Sequence, residues 1–362
     1  MELYGSDLDK LPLGLTFDDV LLIPRFSTIT LEEIDVSTRL TRGIKLDIPI
    51  VSSPMDTVTG ERMVLELGRL GGVGVLPRNM DIGLMISIIS KAKEEEVPVG
   101  IAVGPFDDDI VSKVYSAGAD FIVVDAAHGH SRNVVEAVKR YKRNTDMEII
   151  AGNIVTEEGA EALISAGADA LRVGLGCGHA CTTREITGVG VPQLTAIKWV
   201  YRVASDYEVP LIADGGIEKP ADLVKALAAG ADTVMLGYLL AGTDEAPGSI
   251  IRIQSKEYKY YRGMGSKAAI TNGSRRYGEF KKVPEGIEGY IEYRGSLRHV
   301  VEWLIGGLKQ AMGYLGARDL SELRSRARFI MITNRGRIES RARGLLPIGE
   351  VNEYRSRELA IT

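Results

Sequence analysis

The tetrapeptide Ala-Gly-Ala-Asp occurs three times, at Ala117–Asp120, Ala166–Asp169 and Ala229–Asp232, each time closing an amphipathic run and opening a short apolar one. Glycine enters the left-handed backbone region at little steric cost, so the pattern spells helix, stop, buried strand. Similar apolar runs predict strands over Asp47–Pro54, Gly72–Pro77, Val97–Gly104, Asp120–Ala127, Met147–Ile154, Asp169–Gly176, Pro210–Gly216 and Asp232–Gly237. Most are near-continuous rather than alternating, as parallel strands covered by helices are, and most recur at intervals of roughly 22 to 27 residues. Eight such units predict an α/β fold, a closed (β/α)8 TIM barrel. An open doubly wound sheet uses the same local units, but no G-x-G-x-x-G follows the first strand with an acidic residue about 20 positions on.

Two intervals break the rhythm. Between the sixth and seventh strands the spacing stretches to about 40 residues, and the surplus starts in the loop that follows the sixth strand, on the face where active sites of this architecture are built. That loop holds Cys177 and Cys181, the two cysteines of the chain. After the eighth strand about 60 residues pass before the next long amphipathic helix, His299–Leu315, and so long an excursion is a lid or an insert. A mobile lid is the expectation, with a flap over about 262–296. The Arg-rich tail from Arg318 to Arg357 is expected to be a solvated or subunit-contacting extension, so the barrel carries both N- and C-terminal extensions within one catalytic domain, 1–362.

Bulk properties exclude several classes. The 362 residues are 45% hydrophobic, enough for a full core. A net charge of −5 gives no global basic field for nucleic acid or an anionic membrane. No run of 18 uncharged apolar residues is present, and the start of the chain lacks the basic and apolar regions of a signal peptide, so a cytoplasmic location is expected. Two cysteines four apart fit a local disulfide, half a metal site, or one reactive thiol beside a bystander; a reducing cytosol favours the last. Zinc needs about four ligands, and Cys177, His179 and Cys181 supply at most three.

A thiol becomes a nucleophile when it ionises in a partly exposed place near donors or positive charge, and Thr182, Thr183 and Arg184 surround Cys181. The last two strands end in Asp214-Gly215-Gly216 and Leu236-Gly237. In (β/α)8 enzymes the loops after strands seven and eight often cradle a phosphate with backbone N–H groups, which puts Asp214 opposite a sugar hydroxyl.

Together these features resemble the inosine-5′-monophosphate dehydrogenase and guanosine-5′-monophosphate reductase superfamily over nearly the whole chain. The resemblance rests on Gly14-Leu15-Thr16-Phe17-Asp18-Asp19-Val20-Leu21-Leu22, Ser53-Pro54-Met55-Asp56-Thr57-Val58-Thr59, Ala151-Gly152-Asn153, Cys181-Thr182-Thr183-Arg184, Gly188-Val189-Gly190-Val191-Pro192-Gln193 and Tyr261-Arg262-Gly263-Met264-Gly265-Ser266. It implies that Cys181 attacks C2 of the purine of a bound nucleotide, that hydride passes between C2 and a nicotinamide, and that a covalent thioimidate is resolved. By motif position Asp214, Gly216, Gly237, Tyr238 and Tyr261 meet ribose and phosphate. Ser53, Met55, Met264 and Gly265 line the base, with Glu285 beside it. Asp125 and Asn153 meet the nicotinamide side, and the carbonyls of Gly176, Gly178 and Cys181 match those that hold potassium.

The same resemblance separates the two activities at the lid. Arg276-Tyr277 looks like the pair that enters the vacated dinucleotide site and activates water in the dehydrogenases. Thr183 and Glu285 resemble a threonine–carboxylate relay of both branches. Gly265 stands where a reductase has serine, so an NAD-dependent oxidation of inosine monophosphate (IMP) to xanthosine monophosphate by a homotetramer is implied. NADPH-dependent guanosine monophosphate (GMP) reduction and a silent purine-nucleotide binder are the alternatives. The chain departs from the family pattern at Pro77, a histidine position, at Cys177, where proline is common, at His179-Ala180, where Ser-Ile is usual, and at Tyr238, where serine often helps to hold phosphate. Between Met80 and Val97 a helix-like stretch, Ile82–Glu95, stands where most dehydrogenases insert a tandem regulatory (CBS) module.

Overall fold

The computed structural model describes residues 11–271 and 283–344. Eight parallel strands form one sheet: β1 (Ile50–Ser52), β2 (Gly74–Leu76), β3 (Val99–Val103), β4 (Phe121–Asp125), β5 (Glu148–Ile154), β6 (Ala170–Val173), β7 (Leu211–Asp214) and β8 (Thr233–Leu236). Each neighbours its sequence neighbour, and β8 pairs with β1. The last seam, β1 to β2, is closed by a bridge between Val51 and Val73, where Ser52 N–H donates to the Val73 carbonyl at 2.9 Å. The sheet is therefore a barrel, and all eight expected strands are present, each trimmed where its ends turn into loops.

The Ala-Gly-Ala-Asp repeat has one physical job, performed three times. Its glycines, Gly118, Gly167 and Gly230, have φ of +89°, +101° and +131°, so each reverses the chain out of a helix. The aspartate carboxylate then accepts an N–H at the start of the preceding strand. Asp120 takes Val99 N–H at 2.9 Å, Asp169 takes Ile149 N–H at 2.8 Å and Asp232 takes Leu211 N–H at 2.8 Å. A cation pairs with each carboxylate in turn, Lys93, Lys142 and Arg324. The repeat thus ties neighbouring units at the bottom of the barrel, away from the catalytic rim.

Alternation along the strands sorts the two cores. Phe121, Val123, Ile150, Ala170, Ile212 and Met235 point inward and fill the barrel with Val51, Val73 and Val75. Ile122, Val124, Ile149, Leu171, Ala213 and Val234 point outward under the helices. Burying each of the larger of these side chains, the alanines apart, stabilises the fold by roughly 1.5–3 kcal/mol before entropy is counted. Phe121 lies so near β3 that a Cβ on Gly100 would sit 2.1 Å from its ring, so only glycine fits there. Continuing the inward parity to the top of the strands reaches Asp125, Arg172 and Asp214, so the same period that packs the core aims polar side chains into the mouth.

The covering helices are α1 (Glu61–Arg69), α2 (Ile82–Glu94), α3 (Asp108–Ser116), α4 (Arg132–Asn144), α5 (Glu157–Ser165), α6 (Gln193–Ala204), α7 (Pro220–Ala229) and α8 (Leu297–Leu315). Helix α2 shows why: the Asp81 carboxylate caps Leu84 N–H at 3.1 Å, and Met85, Ile88, Ile89 and Ala92 make one buried stripe.

Two segments outside the barrel carry more structure than the expected lid and extension. The excursion after β8 is not simply a polar lid: it contains an antiparallel sheet, β9 (Ile250–Ile253), β10 (Lys256–Arg262) and β11 (Glu288–Glu292). Tyr261 and Met264 are buried in it. The Arg-rich tail, expected to be a solvated or subunit-contacting extension, is packed at its start and exposed beyond it, where Ile330, Met331 and Ile338 face outward. Leu320 and Leu323 of the helix Leu320–Arg326 are buried, and Phe329–Met331 pairs antiparallel with Val20–Leu22. Apolar residues interleaved with the arginines hold that segment on its own barrel.

Candidate active site

At the C-terminal mouth of the barrel lies a cleft that is open to solvent on one side. The barrel order puts β6 between β5 and β7. The β6 loop therefore stands between the walls built by β4 and β5 on one side and by β7 and β8 on the other. Cys181 is on that loop and lines the cleft.

The loop is stitched in place by backbone. Cys181 N–H donates to the Gly178 carbonyl at 3.0 Å, Thr182 N–H to the Glu285 carbonyl at 3.1 Å, and Ile287 N–H to the Ala180 carbonyl at 3.0 Å. A Cβ on Gly263 would lie 2.5 Å from the Ala180 oxygen, and one on Gly286 2.9 Å from it, so the base of the flap needs glycine to come this close.

Side chains then form a chain of their own. Thr183 Oγ1 donates to Glu285 Oε2 at 2.9 Å, and Cys181 Sγ lies 3.2 Å from Thr183 Oγ1. Because the threonine hydrogen is spent on the carboxylate, its lone pairs face the thiol, and the proton of Cys181 has a route through a hydroxyl to a carboxylate. Cys177 differs. Its thiol donates to Gln193 Oε1 at 3.3 Å and to the Asp214 carbonyl at 3.2 Å, and burial pushes its pKa up to about 12. It stays a thiol.

Across the cleft, Gly215 and Gly216 have φ of +99° and +78°, and Ser53, Met55 and the Tyr261 hydroxyl converge where a Cβ on Gly237 would be. Tyr261 is 7% exposed, and burial raises its phenol well above the usual value, so it is a neutral hydroxyl. Tyr238, Met264, Gly265, Gly176 and Gly178 line the same cleft. Beneath lies a charged cluster: Arg172 Nη2 donates to Asp125 Oδ1 at 2.5 Å and its Nε to Asn153 Oδ1 at 2.6 Å, while Asn153 Nδ2 donates to Asp214 Oδ2 at 2.8 Å. Asn153 and Asp214 reach the cleft, whereas Asp125, 3% exposed, faces Arg172.

Residues 14–343 match the IMP dehydrogenase / GMP reductase domain. The chain is 40% identical to an inosine-5′-monophosphate dehydrogenase of Cryptosporidium parvum, over 94% of this chain and 98% of that one. It is 38% identical to the enzyme of that name from Aquifex aeolicus, over 95% and 98%, and 38% identical to the one from Methanocaldococcus jannaschii, over 94% and 97%. The chain belongs to the IMP dehydrogenase and GMP reductase family.

Within this family fold, Cys181, Thr183, Glu285, Ser53, Met55, Asp214, Gly216, Gly237, Tyr238, Tyr261, Met264 and Gly265 are gathered at one cleft, as are Gly176, Gly178 and Asn153. Arg276 and Tyr277 lie outside the described residues. Sequence reasoning missed Arg172, although a lone charge inside the apolar strand Ala170–Val173 was a signal for it. It also missed Arg294, whose guanidinium sits 5.1 Å over the Tyr238 ring and had no motif to mark it. Among the described residues no cluster of His, Cys, Asp and Glu forms a metal site, and no helix is long and apolar enough to cross a membrane.

Proposed function

We propose that this family member is an NAD-dependent IMP dehydrogenase, producing xanthosine 5′-monophosphate through a covalent Cys181 intermediate. The Cys181–Thr183–Glu285 chain at the barrel mouth carries the covalent chemistry, which both branches of the family share. The names of its full-length relatives support the direction of the reaction.

Cys181, having passed its proton toward Thr183 and Glu285, bonds through sulfur to C2 of the hypoxanthine ring. Hydride then leaves C2, and NAD, when bound, supplies the acceptor. The resulting thioimidate is hydrolysed: water adds to C2, the C–S bond breaks, and xanthosine monophosphate and the thiol are released. Asp214 and the backbone of Gly216 and Gly237 hold ribose and phosphate on one wall, with Tyr238 and Tyr261. Ser53, Met55, Met264 and Gly265 hold the base. Asn153, with Asp125 behind it, and Ala127 line the opposite wall, which gives a nicotinamide a separate approach to the same carbon. By resemblance Arg276 and Tyr277 activate the water.

The carbonyls of Gly176, Gly178 and Cys181 are a hard oxygen set suited to a monovalent cation such as K⁺, which would brace the cysteine loop. Cytoplasmic residence and a homotetramer belong to the same reading; exposed Phe26, Phe106 and Tyr314 are apolar surface for assembly. Helix α2 occupies the segment where a regulatory module would enter, so regulation through such a module is absent from this reading.

Rapid acid quenching during turnover, followed by mass spectrometry of the Cys181 peptide, tests the intermediate. A purine nucleotide on Cys181 is the expected result, and bound nucleotide without an adduct would point to a silent binding protein.

A further inference from the structure

The loop that carries Cys181 is held at both ends. Its far end is tied to the flap by backbone, at Ala180 and Thr182. Its near end, where the chain leaves β6, is tied by a side chain. Cys177 Sγ lies 3.3 Å from Gln193 Oε1 and 3.2 Å from the Asp214 carbonyl oxygen. Gln193 Nε2 donates to the Val173 carbonyl at 2.9 Å and to the same Asp214 carbonyl at 3.1 Å, which turns its Oε1 toward the thiol. The thiol hydrogen is therefore the donor that completes the group. The last residue of β6, the first of α6 and the last of β7 meet around it.

The seat fits a small side chain and close backbones. A Cβ on Gly215, where φ is +99°, would lie 2.7 Å from Cys177 Sγ, and one on Gly174, where φ is +146°, would lie 2.1 Å from the Asp214 oxygen. Gln193 is 3% exposed, so without the thiol its Oε1 is an acceptor that water reaches poorly. Arg184 also braces the loop, but to the loop's own ends: its Nε donates to the Leu175 carbonyl at 2.8 Å and its Nη2 to that of Val191. From Cys177 the restraint passes to Cys181 through one turn, in which Cys181 N–H donates to the Gly178 carbonyl at 3.0 Å. Asp214 carries the loop on its carbonyl and reaches the cleft with its carboxylate, so sulfur and substrate are placed from one residue.

We infer that Cys177 is a positioning residue for the reaction at Cys181: as a hydrogen-bond donor its thiol latches the nucleophile loop to the end of β7 and fixes where the Cys181 sulfur stands. Cys177 is thus not the bystander of the pair. The inference rests on the reading of Cys181 as the nucleophile.

The test compares C177A, which loses the donor, with C177S, which keeps one, by NADH production from IMP and by amide hydrogen exchange on the full chain. C177A is expected to lower kcat about tenfold, as for a reacting group displaced by a fraction of an ångström, with KM for IMP within twofold, and to exchange faster over residues 174–182. C177S is expected to keep kcat within threefold of the unsubstituted chain and to keep its protection. The kcat-against-KM split and the rescue by serine are what a merely structural thiol would not give. A C177A kcat within twofold of the unsubstituted chain, or a C177S as slow as C177A, overturns the inference. Should C177A fail to fold, C177S decides: turnover within threefold supports the latch and a tenfold loss overturns it. No NADH from the unsubstituted chain would instead overturn the functional reading, and the exchange over 174–182 in the two variants would still test the latch.

Discussion

At the scale of single residues, the site separates two cysteines of like chemistry by what surrounds them. Cys177 is half-buried with its thiol among acceptors, and a pKa of about 12 leaves a thiolate fraction on the order of 10⁻⁴ at pH 8. Cys181 opens to the cleft beside Thr183 and Glu285. Iodoacetamide at pH 7–9 should therefore label Cys181 and spare Cys177, and IMP should protect the labelled site. The sign follows from burial: a raised thiol pKa favours the neutral form throughout that range. Equal labelling would contradict the assignment. Thr183→Val keeps the shape and removes the hydroxyl, so turnover should fall by roughly 10²-fold, the worth of one positioned proton carrier. Turnover within twofold of the unsubstituted chain would remove Thr183 from the proton route.

The elements carry the site through backbone more than through side chains. The flap sheet is fastened by Lys259, 1% exposed, whose ammonium donates to the carbonyls of Thr243 at 2.7 Å and Ala246 at 2.6 Å. Arg262 adds a clamp to Asp56. Lys259→Met strands two carbonyls and should cost about 1–3 kcal/mol, read as a lower Tm and faster amide exchange over β9 and β10; an unchanged Tm would contradict this role. None of this fastening was legible in the sequence. A lysine in a polar stretch looks solvated, and only the fold shows carbonyls closing over it. The β-sheet in the excursion was missed for a related reason, since Lys256–Arg262 has too many charges to resemble a strand until Tyr261 and Met264 are seen to pack beneath it. The barrel strands were legible because parallel strands are buried on both faces, and their apolar runs are unambiguous.

For the whole molecule, one periodicity builds both the core and the chemistry. Inward parity fills the barrel with Phe121, Ile150 and Ile212, then delivers Asp125, Arg172 and Asp214 to the mouth. The Ala-Gly-Ala-Asp repeat ties the opposite end. Cys181, Asp214 and Gly237 were legible because each lies at or just past the end of a strand of known number. Arg172 and Arg294 were not, because their meaning lies in partners far away in sequence. The central claim, oxidation of IMP by nicotinamide, is tested most directly by nicotinamide absorbance at 340 nm in the presence of potassium. The account predicts a rise with IMP and NAD⁺ that is lost in Cys181→Ala; no rise there, together with a fall with GMP and NADPH, would contradict it and make the protein a reductase.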